Sequence, residues 1–167
     1  MIVIRPEKTE DIAAIRSVNE QAFGRPAEAD LVDALRRNGK ATLSLVAEDD
    51  GQVVGHILFS PVTIESGDRE LVGLGLAPLA VRPEMQNRGA GSLLVKAGLD
   101  RCREAGHGFV VVLGHREYYP RFGFVPASRF NLACEYDVPD DHFMALELVD
   151  GALRGCAGVV KYQVEFN

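Results

Sequence analysis

The chain has no tryptophan, only three cysteines, and aromatic residues at 7% of the total. Cys102, Cys134 and Cys156 are odd in number, widely spaced and free of any Cys-x-x-Cys pair. This argues against a disulfide framework and against the short spacings of zinc or redox sites, and leaves three reduced, mostly buried residues. No stretch of membrane-spanning length is free of charges. The start, Met1-Ile2-Val3-Ile4-Arg5-Pro6, has no basic segment leading into a long apolar one and reads as a first strand. A cytoplasmic location without membrane association is the expectation. A basic excess is missing too: 18 Lys and Arg against 24 Asp and Glu give a formal charge of −6. A nucleic-acid surface needs a basic stripe to displace counterions, so none is expected. Repeats, low-complexity tracts and Gly/Pro/Ser-rich linkers are also lacking, so residues 1–167 read as one domain, long enough to bury a core unaided.

What is present alternates strands with helices. Ile12, Ile15, Val18 and Ala22 form a helical stripe, with Thr9 as the expected N-cap and Gly24 as the stop. A second helix fits Pro26 to Asn38, ahead of Gly39. Strands Leu43 to Ala47 and Val53 to Phe59 flank Asp49-Asp50-Gly51, a hairpin signal, so this part is expected to be antiparallel. After a turn at Ser66-Gly67-Asp68, the run Glu70 to Val81 suits a central strand. Pro78 cannot donate to a ladder, so it implies a bulge or a divergence from the neighbouring strand. Gly91, Leu94, Val95, Gly98, Leu99 and Cys102 trace one buried face of a helix from about Gly89 to Ala105. Phe109 to Leu113 then reads as a strand parallel to the one before the helix. Further strands are expected at Phe143 to Leu148 and Gly158 to Phe166.

The loop Gln86-Asn87-Arg88-Gly89-Ala90-Gly91 opens that helix inside a βαβ unit, where unpaired amides and the helix dipole favour an anion. Gly89 and Gly91 permit close backbone approach, and Arg88 adds charge. A P-loop would place a lysine between glycine and hydroxyl, yet Ser92 follows Gly91 directly. A dinucleotide fingerprint would need glycine where Leu94 stands. Glycines serving only close helix-to-sheet packing are the bland alternative. The segment Leu79-Ala80-Val81-Arg82-Pro83-Glu84-Met85-Gln86-Asn87-Arg88-Gly89-Ala90-Gly91-Ser92-Leu93-Leu94 resembles the acetyl-CoA-binding motif of the GNAT superfamily of N-acetyltransferases, whose core is Gln or Arg, two residues, Gly, one residue, then Gly or Ala. The tail, from Tyr119 through Phe143 to Leu148, resembles the YhbS-like subgroup.

The resemblance implies a mixed α/β, α+β-like GNAT fold: a central, mostly antiparallel sheet with one splayed parallel strand pair and flanking helices. It implies acetyl-CoA as co-substrate and no metal. The segment Leu79, Ala80 and Val81 would hold the acetyl carbonyl and pantetheine arm, through the amides of Leu79 and Val81. Gln86, Asn87, Arg88, Gly89, Ala90, Gly91 and Ser92 would take the pyrophosphate.

Acyl transfer needs a neutral amine, a polarised thioester and a proton for the leaving thiolate. Keeping a lysine-like amine neutral at pH 7 costs about 4 to 5 kcal/mol. Tyr119-Pro120-Arg121-Phe122-Gly123-Phe124 resembles the family's Tyr-x-x-x-Gly-Phe segment, which makes Tyr119 the expected proton donor, with Tyr118 as the alternative. The preceding Gly114-His115-Arg116-Glu117 departs from the family pattern, lacking the asparagine that contacts CoA in many relatives. No base stands out: His56, Glu70 and His115 are candidates through water, but each reads more readily as a surface or structural residue, and none is assigned. Glu135, Asp137, Asp140, Asp141 and His142, interleaved with Tyr136 and Phe143, would attract a cation if they border the acceptor site; a solvated loop is the alternative. The expected activity is acetyl transfer to a primary amine of a small molecule. A non-catalytic acyl-CoA sensor is the rival reading, and homodimerisation through the tail is a further expectation.

Overall fold

A computed structural model describes residues 1–167. The chain separates into two compact units, each built from two stretches of sequence: residues 1–60 with 77–100, and residues 61–76 with 101–167.

In the first unit, β1 (Ile2–Pro6) pairs antiparallel with β2 (Leu43–Asp49), and β2 with the first half of β3 (Gln52–Ser66). The hairpin signal at residues 49–51 is realised, with Asp50 and Gly51 both at positive φ. Helices α1 (Ile12–Phe23) and α2 (Ala27–Arg37) lie close to the expected spans, and Gly24 ends α1 at φ 68°. Thr9 does not cap α1. It opens a 3-10 turn, Thr9–Asp11, in which the Asp11 carboxylate accepts the Lys8 N–H at 2.7 Å and the Arg5 guanidinium at 2.7 Å. Asp11 itself stands at the N-cap position of α1, which has no side-chain cap bond because this carboxylate is turned back to Lys8 and Arg5.

Strand alternation sends successive β3 side chains to opposite faces. Asn19 of α1 meets His56 on one face. On the other, α3 (Ala90–Glu104) brings Leu94 against Gly55 and Gly98 against Phe59. A Cβ on Gly98 would stand 2.5 Å from Phe59 Cε1, so glycine there is a packing requirement. Leu94, Val95, Leu99 and Cys102 are buried, as their spacing indicates.

In the second unit, β4 (Arg69–Val81) runs parallel to β5 (Phe109–Leu113) through Leu74↔Val110, Gly75↔Val111 and Leu76↔Val112. The pairing stops there, two residues before Pro78, so the expected divergence is present. Strand β5 continues antiparallel to β8 (Phe143–Glu147), which carries the two-residue β6 (Val125–Pro126). The second half of β3 pairs antiparallel with β9 (Gly158–Lys161), and β9 parallel with β7 (Leu132–Cys134). The expected mostly antiparallel sheet with its parallel pair and flanking helices is therefore found, with a second short parallel pair, β7 and β9. The core of this unit gathers Val62, Ile64, Phe109, Val111, Phe143 and Tyr162. Tyr162 and Val62 close over Gly75, where a Cβ would lie 2.9 Å from the Tyr162 ring.

Two strands differ in length from expectation. Strand β3 passes through Pro61 to Ser66, since proline lacks only the N–H and its carbonyl accepts Gln163 Nε2 at 3.1 Å. Strand β9 stops at Lys161 because the Tyr162 N–H goes to Glu135 Oε1 at 2.7 Å, and Val164–Phe166 turns into a 3-10 segment.

Candidate functional site

The loop after β4 is fixed from both sides by short-range bonds. Arg82 N donates to Val54 O at 2.9 Å and Gln86 Nε2 to Val81 O at 3.1 Å. A 3-10 turn, Pro83–Met85, separates the strand from Gln86. Asn87 (φ 63°) and Gly89 (φ 90°) then take left-handed conformations and turn the chain into α3. Leu93 N donates to Gly89 O at 3.0 Å and ties the loop to the first turn of the helix. The helix start turns its first N–H groups and the positive end of its dipole toward the loop.

Gln86, Asn87, Arg88 and Gly89 are exposed, whereas Gly91 and Ser92 are half-buried and Ala90 is buried beneath them. The surroundings of Gly89 hold nothing within 4 Å of a Cβ position, so glycine is needed there for φ alone. Leu79 and Val81 are half-buried and Ala80 is buried, its carbonyl close to Gly55. Sequence reading gave Arg82 no role, yet this cation stands between Val81 and the loop with its Nε buried and unbonded. A basic residue at the end of the strand that leads into the loop is the signal that marks it.

Tyr119 opens a 3-10 turn, Tyr119–Phe122, and is buried against Gly114, Phe124 and Tyr118. Burial, reinforced by the Tyr118 phenol beside it, pushes its pKa well above the usual range, so the hydroxyl keeps its proton throughout the physiological interval. The Tyr118 ring is engaged differently: the Arg121 guanidinium lies 4.6 Å over it and donates through Nε to the Tyr118 carbonyl at 2.9 Å.

Of the base candidates, His56 is fully buried, with its pKa lowered by desolvation to about 4. Its Nδ1 faces Asn19 Nδ2 at 3.3 Å and its Nε2 faces Ser44 Oγ at 2.9 Å. His56 is thus part of the fold. Glu70 and His115 are exposed. The acidic loop divides in use. Glu135 is taken by the Tyr162 amide, Asp141 by Arg116 at 2.6 Å, and Asp140 accepts Ser128 Oγ at 3.0 Å, while Asp137 is exposed. The cysteines are all free, two buried and Cys134 half-buried. No group of three or more His, Cys, Asp or Glu is arranged to hold a metal, and no helix is long and apolar enough to cross a membrane.

A strand that leads through a glycine loop into the start of a helix can hold a phosphate-bearing coenzyme, and comparison with known proteins says which class of protein this one belongs to. The description Acetyltransferase (GNAT) domain fits residues 3–127, and the chain belongs to this family of acetyltransferases. It is 41% identical over 167 residues to the N-acetyltransferase YhbS of Escherichia coli K12, across 99% of each chain. It is 43% identical over 136 residues to the N-acetyltransferase YjhQ of the same organism, across 79% of this chain and 75% of that one. Among solved structures, E. coli YhbS in complex with CoA matches with a TM-score of 0.93 at 40% identity, covering 99% of this chain and 92% of that one. A GNAT acetyltransferase from Brucella melitensis in complex with acetyl-CoA matches with a TM-score of 0.83 at 40% identity, covering 100% and 99%.

Proposed function

We propose that this acetyltransferase moves the acetyl group of acetyl-CoA to a primary amine of a small molecule, by direct attack of the neutral amine on the thioester. The observation that carries the reading is the Gln86–Gly91 loop, whose left-handed Asn87 and Gly89 turn the backbone into the amide-presenting start of α3. The relatives solved with CoA and with acetyl-CoA support it. In this reading Gln86, Asn87, Arg88, Gly89, Ala90, Gly91 and Ser92 take the pyrophosphate. The amides of Leu79 and Val81, on either side of Ala80, hold the acetyl carbonyl and the pantetheine arm. Polarising the carbonyl through fixed amides stabilises the oxyanion that forms on attack.

Tyr119 supplies the proton for the departing thiolate. A phenol with a raised pKa holds that proton at neutral pH and shares it with the departing sulfur through a hydrogen bond as the C–S bond breaks. The proton released by the attacking nitrogen passes through solvent and leaves the phenol protonated and the thiol neutral. No side chain is assigned as base, and the amine reaches neutrality by losing its proton to solvent water. The chain acts in the cytoplasm in this reading. Calorimetric titration with CoA tests the donor site: binding in the wild type, lost in Gly89→Glu and Gly91→Glu with the fold intact, is the expected result. Absence of binding to the wild type would overturn the reading.

The full burial of His56 and the exposure of Glu70 and His115 favour one rival, a CoA-binding protein without transfer activity. Consumption of acetyl-CoA across a panel of amines separates the two.

A further inference from the structure

The arginines of this chain follow one rule, and Arg82 breaks it. Arg5, Arg16 and Arg36 are drawn partly out of solvent, and each is held there by carboxylates: Arg5 by Asp11 and Glu48, Arg16 by Asp30 and Asp33, Arg36 by Glu7 and Asp33. All the rest but Arg82 are exposed, where water solvates the charge. Arg82 is half-buried, its Nε is covered and without an acceptor, and its guanidinium forms no ion pair. Glu84, two residues on, is exposed and does not reach it. Covering a charged donor and leaving it unbonded costs stability, so a side chain kept this way calls for an anion from outside the protein.

The root of the side chain is fixed. Arg82 N donates to Val54 O at 2.9 Å, and Arg82 O accepts Met85 N at 2.8 Å. Its extended backbone, φ −52° and ψ 138°, continues β4, so alternation sets the side chain in step with buried Ala80. The glycine loop is tied to the same spot, since Gln86 Nε2 bonds the Val81 carbonyl at 3.1 Å. Strand end, loop and the first turn of α3 all belong to the first unit.

We propose that Arg82 pairs with the diphosphate of CoA, its Nε–H and a terminal N–H donating to phosphate oxygens as a fork. The inference rests on the donor-site reading above, and it adds to the loop a residue outside the Gln-x-x-Gly-x-Gly pattern. The diphosphate is favoured over the ribose 3′-phosphate because Arg82 is pinned at the foot of the loop assigned to the diphosphate.

The test titrates CoA and dephospho-CoA, which lacks only the 3′-phosphate, into the wild type, Arg82→Gln and Arg82→Lys by calorimetry, with melting curves of the unliganded chains. Arg82→Gln should weaken both ligands by the same factor, roughly ten- to hundredfold, and make the remaining binding less sensitive to salt. Its unliganded melting midpoint should hold or rise, because a covered donor without an acceptor is removed. Arg82→Lys should recover part of the affinity through its charge, without the fork. Unchanged affinity in Arg82→Gln would overturn the proposal, and so would a loss confined to CoA, which would assign Arg82 to the 3′-phosphate. A fall in the unliganded melting midpoint that accounts for the lost affinity would make Arg82 a residue of the fold and equally overturn it. A wild type that binds neither ligand is a separate outcome, which removes the donor-site reading and this proposal together.

Discussion

The hydroxyl of Ser44 lies 2.9 Å from His56 Nε2 and 2.6 Å from Glu7 Oε1, and this contact sets the direction of a buried polar chain. Asn19 Nδ2 faces His56 Nδ1, so Nδ1 accepts and Nε2 carries the hydrogen, which it donates to Ser44 Oγ. Ser44 in turn donates to Glu7, and the Arg36 guanidinium closes the chain on the same carboxylate at 2.7 and 2.9 Å. Every hydrogen in this series runs toward the carboxylate, which only a neutral imidazole permits.

Acid should therefore destabilise the protein in a defined window. His56 is lowered from 6.5 to about 4 by desolvation, so between those values the unfolded chain binds the proton and the folded one does not. Stability is then fully present above the unfolded value and falls with pH through the window, by about 3 kcal/mol in all. Glu7, held below its usual range because Arg36 and Ser44 together outweigh its burial, adds a further loss at lower pH. Melting curves from pH 7.5 to 4 should show the fall, and a His56→Gln variant should show a shallower one. Equal slopes in both proteins would remove His56 as the cause.

Substituting Gly98 tests the helix-to-strand packing in the first unit. Its added Cβ would meet Phe59 at 2.5 Å, and the ring is fully buried with nowhere to retreat. Gly98→Ala is expected to cost about 1–3 kcal/mol despite the gain in helix propensity. Phe59→Leu in the same chain should recover part of the loss, a non-additivity that a double-mutant cycle reads directly. Strict additivity would place the strain elsewhere.

The loop glycine behaves differently. Gly89 has open space around it and a φ of 90°, so Gly89→Ala should cost about 1–2 kcal/mol through the backbone alone. CoA affinity, measured by calorimetry, should fall by more than the melting midpoint implies, because the substitution disturbs the turn that aims the amides. A variant that binds CoA with wild-type affinity would show that the loop's conformation is not what the ligand reads.

Much of this was legible from periodicity. The α3 face from Gly91 to Cys102, the hairpin at residues 49–51 and the parting of β4 from β5 near Pro78 each follow from local rules of spacing, turn chemistry and the missing proline N–H. What stayed hidden depends on partners far apart in sequence. The two short strands Val125–Pro126 and Leu132–Cys134 are too brief to show a period, and their pairing to β8 and β9 decides them. The burial of His56 was equally illegible, because nothing near it signals that Asn19, Ser44 and Glu7 converge there. The loop itself could be read because its chemistry is contiguous. The cavity lined by residues from 128 to 143 could not, since its walls come from separate short elements.

Two tyrosine hydroxyls in the second unit should respond in opposite ways to removal. Tyr162 is 9% exposed, and its hydroxyl is buried with no hydrogen-bond partner, a group whose desolvation costs stability and returns none. Tyr162→Phe keeps the ring that packs on Gly75, Tyr136 and Phe166, so stability should hold or rise by up to about 1–3 kcal/mol. Turnover should be unaffected. Tyr119→Phe likewise keeps a ring packed on Gly114 and Phe124, so its melting midpoint should change little. Its kcat should fall on the order of 10² or more if the phenol supplies the proton, with KM for acetyl-CoA nearly constant. The raised pKa of Tyr119 adds a signature: its deprotonation cannot produce an alkaline limb below about pH 10, the ordinary value for a phenol. Full turnover by Tyr119→Phe at every pH would pass the donor role to Tyr118 or to solvent, and a loss of turnover in Tyr162→Phe at unchanged stability would show that its hydroxyl serves the reaction.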